Sequence, residues 1–395
     1  MNAFETARRQ PLAIVKGNGR LKQHIRRILL IQLGDIGDVV LAIPTIRSLK
    51  NHYPQSHLTV AVREKASGLL QLCPWCDDIL TIGEEKGPFQ DRIVHHLRFF
   101  RSLRRKRYDL AVDMRTGTRG VLLAFLSGAP DRLGFKALDD PWRNRLFNHL
   151  TNPPMDRPRL HMAHYHLLLL DRYGIAVDAR WPRLRISARY SDATDRLLDR
   201  HHVPPNLPLI AIQPFSLWRY KEWGVQNFRS LIQWLVDCHD AAVLVCGTPA
   251  ERPRVDRMVA AITTDRVINM AGKTSIALYA ALLARCRLFI GCDSAGVHIA
   301  AAVATPTATI YGPSSPDSWA PREKGHMVVR KDMDCVPCRQ KGCRNSGVSL
   351  CLEQLNVDDV VKQIEPLMQG VGLSGKTDSD TSFANNRQVA DAPGS

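Results

Sequence analysis

No run of about 18 or more consecutive apolar residues occurs in this 395-residue chain, so a membrane-spanning helix is not expected. The longest uncharged stretch, Ser294 to Pro316, is interrupted by His298, Pro306, Gly312 and Pro313. The opening MNAFETARRQPLAIVKGNGRLKQHIRR has no apolar segment ahead of a small-residue cleavage site, and no secretory signal is read there. The ten cysteines are therefore expected to be reduced thiols of a cytoplasmic protein, not disulfides. A solenoid-type repeat is absent, and the glycines after the first aliphatic run, Gly34 and Gly37, do not form a G-x-G-x-x-G dinucleotide fingerprint. Acids are scarce, 38 Asp+Glu against 54 Lys+Arg. The resulting +16 charge favours an anionic partner: nucleic acid, an acidic membrane surface or a phosphorylated substrate. Charge alone does not choose among the three.

The chain has 45% apolar and 23% charged residues, the mix of a soluble globular protein, and a length suited to two or three domains. Short aliphatic runs alternate with helical periodicity twice over. The first series is Ile28–Leu33, His57–Val62, Asp78–Ile82 and Asp109–Met114; the second is Leu209–Pro214, Ala242–Gly247, Val267–Gly272, Leu288–Asp293 and Thr307–Gly312. Each reads as a parallel sheet with crossover helices, so the fold class is α/β with two doubly wound domains. The boundaries read as an N-terminal extension over 1–26, a first domain over 27–180, a linker over 181–207, a second domain over 208–369 and a disordered tail over 370–395. A helix over His161–Ile175 closes the first domain.

Chemistry concentrates after the strands. The first run is followed by Gly34-Asp35-Ile36-Gly37-Asp38, whose glycines let the backbone turn sharply at the sheet edge where α/β folds bind ligands. Asp38 falls in the first turn of a helix over Val39–Lys50, placed as a helix cap or as a general base for an acceptor hydroxyl. In the second half, Asp293 ends a strand and Ser294-Ala295 open a helix whose free amides suit a diphosphate, with His298 one turn in. The ordinary reading there is a cap and a core histidine. In Phe215-Ser216-Leu217-Trp218-Arg219-Tyr220-Lys221-Glu222-Trp223, Lys221 offers a charge and Ser216 a hydroxyl to a phosphate, unless the loop is merely solvated. Glu251 of Gly247-Thr248-Pro249-Ala250-Glu251 reaches ribose hydroxyls or is a first-turn acid.

Taken together, these segments resemble the heptosyltransferases of lipopolysaccharide core assembly, glycosyltransferase family nine, over about Arg27 to Met368. The DSAGVHIAAAVATPTATIYGPSSPDSW stretch is the most specific part, with Ala295-Gly296-Val297 where Gly-Pro-Met is commoner. The resemblance implies two Rossmann-like domains facing across a cleft (the glycosyltransferase B fold), ADP-heptose as donor, and inverting transfer with no cofactor required. It implies Asp38 as the catalytic acid residue after the first strand, and Lys221, Ser216, Asp293, Ser294, Ala295, His298 and Glu251 as donor-binding positions. The implied acceptor is a phosphorylated lipid A–Kdo type core at the inner face of the inner membrane, with the enzyme peripheral on that anionic surface and no nucleic acid as partner. Arg63, Arg115, Arg119 and Arg132, near first-domain strand ends, are candidates for acceptor anions. A transferase using another nucleotide sugar or acceptor is the nearest alternative. A non-catalytic basic protein that binds nucleic acid or membrane is the alternative from a different class.

Three motifs stand apart. A basic helix over Arg92–Arg107 carries an apolar stripe of Ile93, Leu97, Phe100 and Leu103, for packing on the sheet or docking to an anionic leaflet. Cys335, Cys338, Cys343 and Cys351 fall within seventeen residues and suit a structural zinc, an iron–sulfur cluster or four unliganded thiols. Asp332-Met333-Asp334 reads as a chance D-x-D, and Cys73–Cys76 as a loop turn.

Overall fold

The structure, a computed structural model, describes residues 4–5, 8, 12–22, 24–83, 98–154, 160–177 and 179–373. The first sheet comprises β1 (Ile14–Lys16), β2 (Arg27–Gln32), β3 (His57–Arg63), β4 (Asp78–Ile82), β5 (Leu110–Asp113), β6 (Asp131–Phe135) and β7 (His149–Thr151). Its order is β1-β7-β6-β5-β2-β3-β4, parallel except for the antiparallel β1 at the edge. The second sheet comprises β8 (Leu209–Gln213), β9 (Ala242–Val245), β10 (Val267–Asn269), β11 (Leu288–Cys292), β12 (Thr307–Ile310) and β13 (His326–Val329), all parallel in the order β10-β9-β8-β11-β12-β13. Setting β1 aside, both sheets have the strand order 3-2-1-4-5-6, which reverses direction once. The reversal falls between β2 and β5 in one sheet and between β8 and β11 in the other.

These strands are uninterrupted aliphatic runs because helices cover both faces. In β2, Leu30 packs with Val40 and Ile43 of α1 (Ile36–His52), whereas Leu29 and Ile31 pack on the opposite face. That face is covered by Leu103 from α2 (98–105) and by Val121 and Leu123 from α3 (Thr118–Leu126). The apolar residues of the basic helix therefore belong to the core where they are described: Leu103 is buried, and Phe99 and Phe100 pack against the same cluster. Its first six residues lie outside the described residues.

Next come α4 (Met162–Arg172), α5 (Ala188–Arg200), α6 (Val225–His239), α7 (Arg252–Val259), α8 (Ile276–Leu283), α9 (Ala295–Ala302) and α10 (Val357–Gly370). The segment expected to be a connector contains α5, which packs against α8 through Leu197. Its three prolines, Pro182, Pro204 and Pro205, flank this helix and hide a strongly amphipathic stretch. The N-terminal extension supplies β1 and the buried Phe4. The tail begins later than expected: α10 runs to Gly370 and Leu373 is buried, while 374–395 lie outside the described residues. Among the described residues, no helix is long and apolar enough to cross a membrane.

Candidate active site

In an open α/β sheet the crevice lies at the carboxyl ends of the strands where the order reverses. Both reversal points here feed one cavity of about 570 Å³. Gln32 and Asp38 after β2, Arg115 and Thr116 after β5, and Tyr220 and Lys221 after β8 line it.

Asp38 sits in the first turn of α1, where one carboxylate oxygen, Oδ2, accepts the Asp35 N–H at 2.9 Å. The same oxygen accepts Arg115 Nη1 at 2.5 Å. The capping reading and the cavity-facing reading therefore both hold for one side chain. A Cβ at Gly34 would collide with this carboxylate and with the Arg115 guanidinium, so only glycine permits the pairing. Gln32 Oε1 accepts the Gly34 N–H at 3.2 Å, while its buried Nε2 has no protein partner.

Arg115 is aimed by Asp113, whose Oδ1 accepts the Arg115 N–H at 3.2 Å. Asp113 is 1% exposed and its Oδ2 has no partner; burial pushes the carboxyl up to about 7, against the pull of the Arg115 and Thr116 amides. The folded protein thus keeps a proton that the unfolded chain gives up near pH 4, and this contribution to stability is lost as pH rises through 7. Asp113→Asn, which stays neutral, should match the parent near pH 4 and exceed it by roughly 2–4 kcal/mol at pH 8. Urea midpoints at the two pH values check this; an equal shift at both would show that Asp113 is not the titrating group.

On the other wall, Lys221 Nζ donates to Asp293 Oδ2 at 2.7 Å, and Ser216 Oγ donates to the Asp293 carbonyl at 3.4 Å. The Ser216–Trp223 loop is anchored by Glu222, which takes two hydrogen bonds from Arg254; that guanidinium lies 3.7 Å from the Phe215 ring centroid. Hydrogen bonding to Glu222 raises the Arg254 pKa. Ser294 stands at the N-cap position of α9 without a side-chain capping bond, its Oγ buried with no partner. Ala295 Cα lies 3.8 Å from where a Gly37 Cβ would be, so the first turns of α1 and α9 abut. His298, 6% exposed, packs on Gly37; burial lowers its pKa although Asp293 and Asp38 pull it up. Burial favours the neutral imidazole, and both carboxylates are near enough to oppose that shift.

Other residues singled out from the sequence lie elsewhere. Glu251 Oε2 accepts the Thr248 N–H at 2.7 Å in a capping box, the first-turn role, and does not line the cavity. Arg63 lies 3.6 Å from Asp35. Arg132 is spent on the Leu146 and Ala129 carbonyls, and burial lowers its pKa. Arg119 projects from the first turn of α3 outside the cavity lining. Asp332 and Asp334 are exposed and off the cavity.

The Leu350 N–H points at Cys343 Sγ at 3.4 Å. The Cys351 thiol is pushed up to about 11 by burial and then by Cys343, Cys338 and Cys335, so the four thiols share one neighbourhood. Among the described residues, no three His, Cys, Asp or Glu side chains are gathered closely enough to hold a metal ion. The same segment nevertheless sends Arg339 and Gln340 into the cavity wall. Ser314 and Ser315 join them there, with the Arg339 guanidinium donating to Ser315 Oγ at 3.3 Å. Nothing in the sequence marks Arg339 and Gln340, which stand among cysteines whose spacing is the conspicuous feature.

Two Rossmann-ordered sheets border one charged cavity, a setting suited to a phosphorylated ligand, and comparison with known proteins gives the class. Residues 96–349 match the family described as glycosyltransferase family 9 (heptosyltransferase). Lipopolysaccharide heptosyltransferase 2 of Escherichia coli K12 is 26% identical over 353 residues, 87% of this chain and 98% of that protein. The structure of E. coli ADP-heptose lps heptosyltransferase II superimposes with a TM-score of 0.72 at 23% identity, covering 87% of this chain and 99% of that one. That of E. coli heptosyltransferase WaaC with ADP-2-deoxy-2-fluoro heptose gives 0.65 at 18% identity, covering 86% and 99%. The chain belongs to glycosyltransferase family 9 and is an enzyme of the heptosyltransferase class.

Proposed function

We propose that this enzyme moves heptose from ADP-heptose to the lipopolysaccharide inner core with inversion and without a catalytic metal. The observation that carries the reading is Asp38 on one wall of the cavity and the Lys221–Asp293 pair on the other. Residues 27–180 act as the acceptor lobe and 208–369 as the donor lobe, facing each other across the cavity as a glycosyltransferase B fold.

The acceptor hydroxyl gives its proton to Asp38 as its oxygen bonds to the anomeric carbon. The bond from that carbon to the ADP oxygen breaks on the far side, and ADP leaves with the electron pair. Lys221, Ser216 and the first amides of α9 at Ser294 and Ala295 take up the negative charge on the diphosphate. Asp293 holds Lys221 in place, and neutral His298 keeps the two helix ends together. Arg115 meets anionic groups of the acceptor, which releases its hold on Asp38. The unpartnered Gln32 Nε2 and Ser294 Oγ are donors available to a bound ligand.

ADP-heptose is the donor that the similar structures support: one is of an ADP-heptose heptosyltransferase and another holds an ADP-heptose analogue. The test is transfer from ADP-heptose to acceptors bearing zero, one or two heptoses, read by mass spectrometry in EDTA. One acceptor should gain a single heptose with the anomeric configuration inverted. Transfer from a UDP-sugar instead, or none without added divalent metal, would overturn the donor or the metal-independent assignment. The enzyme acts as a peripheral protein on the inner face of the inner membrane, where such acceptors are built.

The cysteine loop is a second part of the proposal. Cys335, Cys338, Cys343 and Cys351 are four soft ligands of the kind structural zinc takes, but as placed no three stand close enough to hold the ion, so zinc binding requires the loop to draw its sulfurs together. Elemental analysis of the purified enzyme should find one zinc per chain, lost in Cys338→Ser. Metal-free protein with four freely titratable thiols would dismiss the site.

A further inference from the structure

An acceptor held in a bilayer by acyl chains must meet Asp38 while its lipid stays in the membrane, so the cavity mouth has to lie close to the membrane plane. The rim beside Arg115 and Thr116 has the composition for that contact. On α3, Arg119, Leu122 and Phe125 follow one another at three-residue spacing on the outward face and are all exposed. The 3-10 helix Pro141–Leu146 packs against α3 and adds Trp142, 41% exposed, with Leu138 just before it at 72%. These are four of the five large apolar side chains that stand exposed among the described residues of the first half.

Cations frame the patch. Arg143 donates to the Thr116 carbonyl at 3.3 Å, tying the 3-10 helix to the cavity wall. The Arg132 guanidinium lies 5.8 Å from the Phe125 ring centroid. Arg104 of α2 adjoins Gly128 just past the end of α3, and Arg145 is exposed on the 3-10 helix. Among the described residues, the acids paired at this rim are Asp139 and Asp140, both facing Arg143.

An isolated apolar patch on a soluble protein marks a contact surface. Aromatic and aliphatic tips set among arginines fit the interface of an anionic bilayer, where Trp settles at headgroup depth and cations meet lipid phosphates. A second copy of the chain would set arginine against arginine. We propose that Leu122, Phe125, Leu138 and Trp142 insert into the headgroup region of an anionic membrane, with the exposed Arg104, Arg119 and Arg145 on lipid phosphates, and so present the cavity mouth to a lipid-anchored acceptor. This rests on the lipid-acceptor reading above. It also reassigns the docking role considered for the Arg92–Arg107 helix, whose described apolar residues are packed inward and which contributes charge alone.

The test compares the full-length enzyme with a Leu122→Ser/Phe125→Ser/Leu138→Ser/Trp142→Ser variant on phosphatidylglycerol and phosphatidylcholine vesicles. The parent should co-sediment with the anionic vesicles at least 10-fold better than with the neutral ones, and the variant should lose most of that binding at equal thermal stability. Brominated lipid should quench parent fluorescence more than that of Trp142→Phe, which guards against a variant that misfolds. Transfer to an acyl-free soluble acceptor should be unchanged in the fourfold variant, while transfer to the same acceptor carried on vesicles should fall about 10-fold or more. Vesicle binding that survives all four changes would overturn the docking surface, as would a dimer in sedimentation that the variant dissolves. Failure of the parent on every acceptor, with vesicle binding intact, would instead count against the functional reading.

Discussion

Asp38→Asn is expected to slow transfer by about 10²- to 10⁴-fold, the usual worth of a positioned general base, with ADP affinity unchanged. Asparagine keeps an oxygen for the Asp35 N–H, so the first turn of α1 stays capped and stability should move by about 1 kcal/mol or less. Asp38→Ala is the less clean variant. It deletes the cap as well as the base and leaves the Arg115 guanidinium without its carboxylate. Single-turnover transfer at saturating donor and acceptor isolates the chemical step. A rate for Asp38→Asn within a few fold of the parent would remove Asp38 from the base role and leave it a cap.

Lys221→Ala should have two separable consequences. It strips the cation from Asp293, which is 6% exposed, and breaking a pair of that burial costs about 3–5 kcal/mol. It also removes a charged contact to the donor diphosphate, worth about 1.5–3 kcal/mol, or roughly 10- to 100-fold in ADP affinity. The double variant Lys221→Gln/Asp293→Asn tells the two apart. With no buried charge left unpaired, it should recover most of the lost stability yet bind ADP as poorly as Lys221→Ala. Calorimetric titration with ADP beside urea unfolding reads both quantities. Normal ADP affinity in the double variant would make Lys221 a structural counter-ion only.

Much of the frame was legible because parallel strands buried on both faces carry dense aliphatic runs. The nine runs read from the sequence coincide with β2–β5 and β8–β12 to within three residues at each end. The strands that escaped are short or lie at an edge. β6 reads Asp-Arg-Leu-Gly-Phe, β7 is three residues, β1 belongs to the extension, and β13 follows the long uncharged stretch as the last strand of its sheet. A three-residue strand buries too little to leave a periodic signal of its own and is held by its neighbours.

The site divides in the same way. Asp38, Lys221 and Arg115 line the cavity, and Asp293 borders it, because each follows a strand at a reversal of order, a location that the alternation of elements already implies. The Arg115–Asp38 contact joins residues 77 apart in sequence and exists only because β5 lies beside β2. Arg339 and Gln340 reach the wall from a loop beyond β13, where no periodicity locates a side chain.

The abutting first turns of α1 and α9 carry one more consequence. Each such turn presents roughly half a positive charge, so bringing two together is an unfavourable arrangement of dipoles. Asp38 and Asp293 both lie near His298 at that junction and supply compensating negative charge. The carboxylates that offset these dipoles are also the pair the proposed mechanism relies on, so a substitution chosen to tighten that seam should act on catalysis as well.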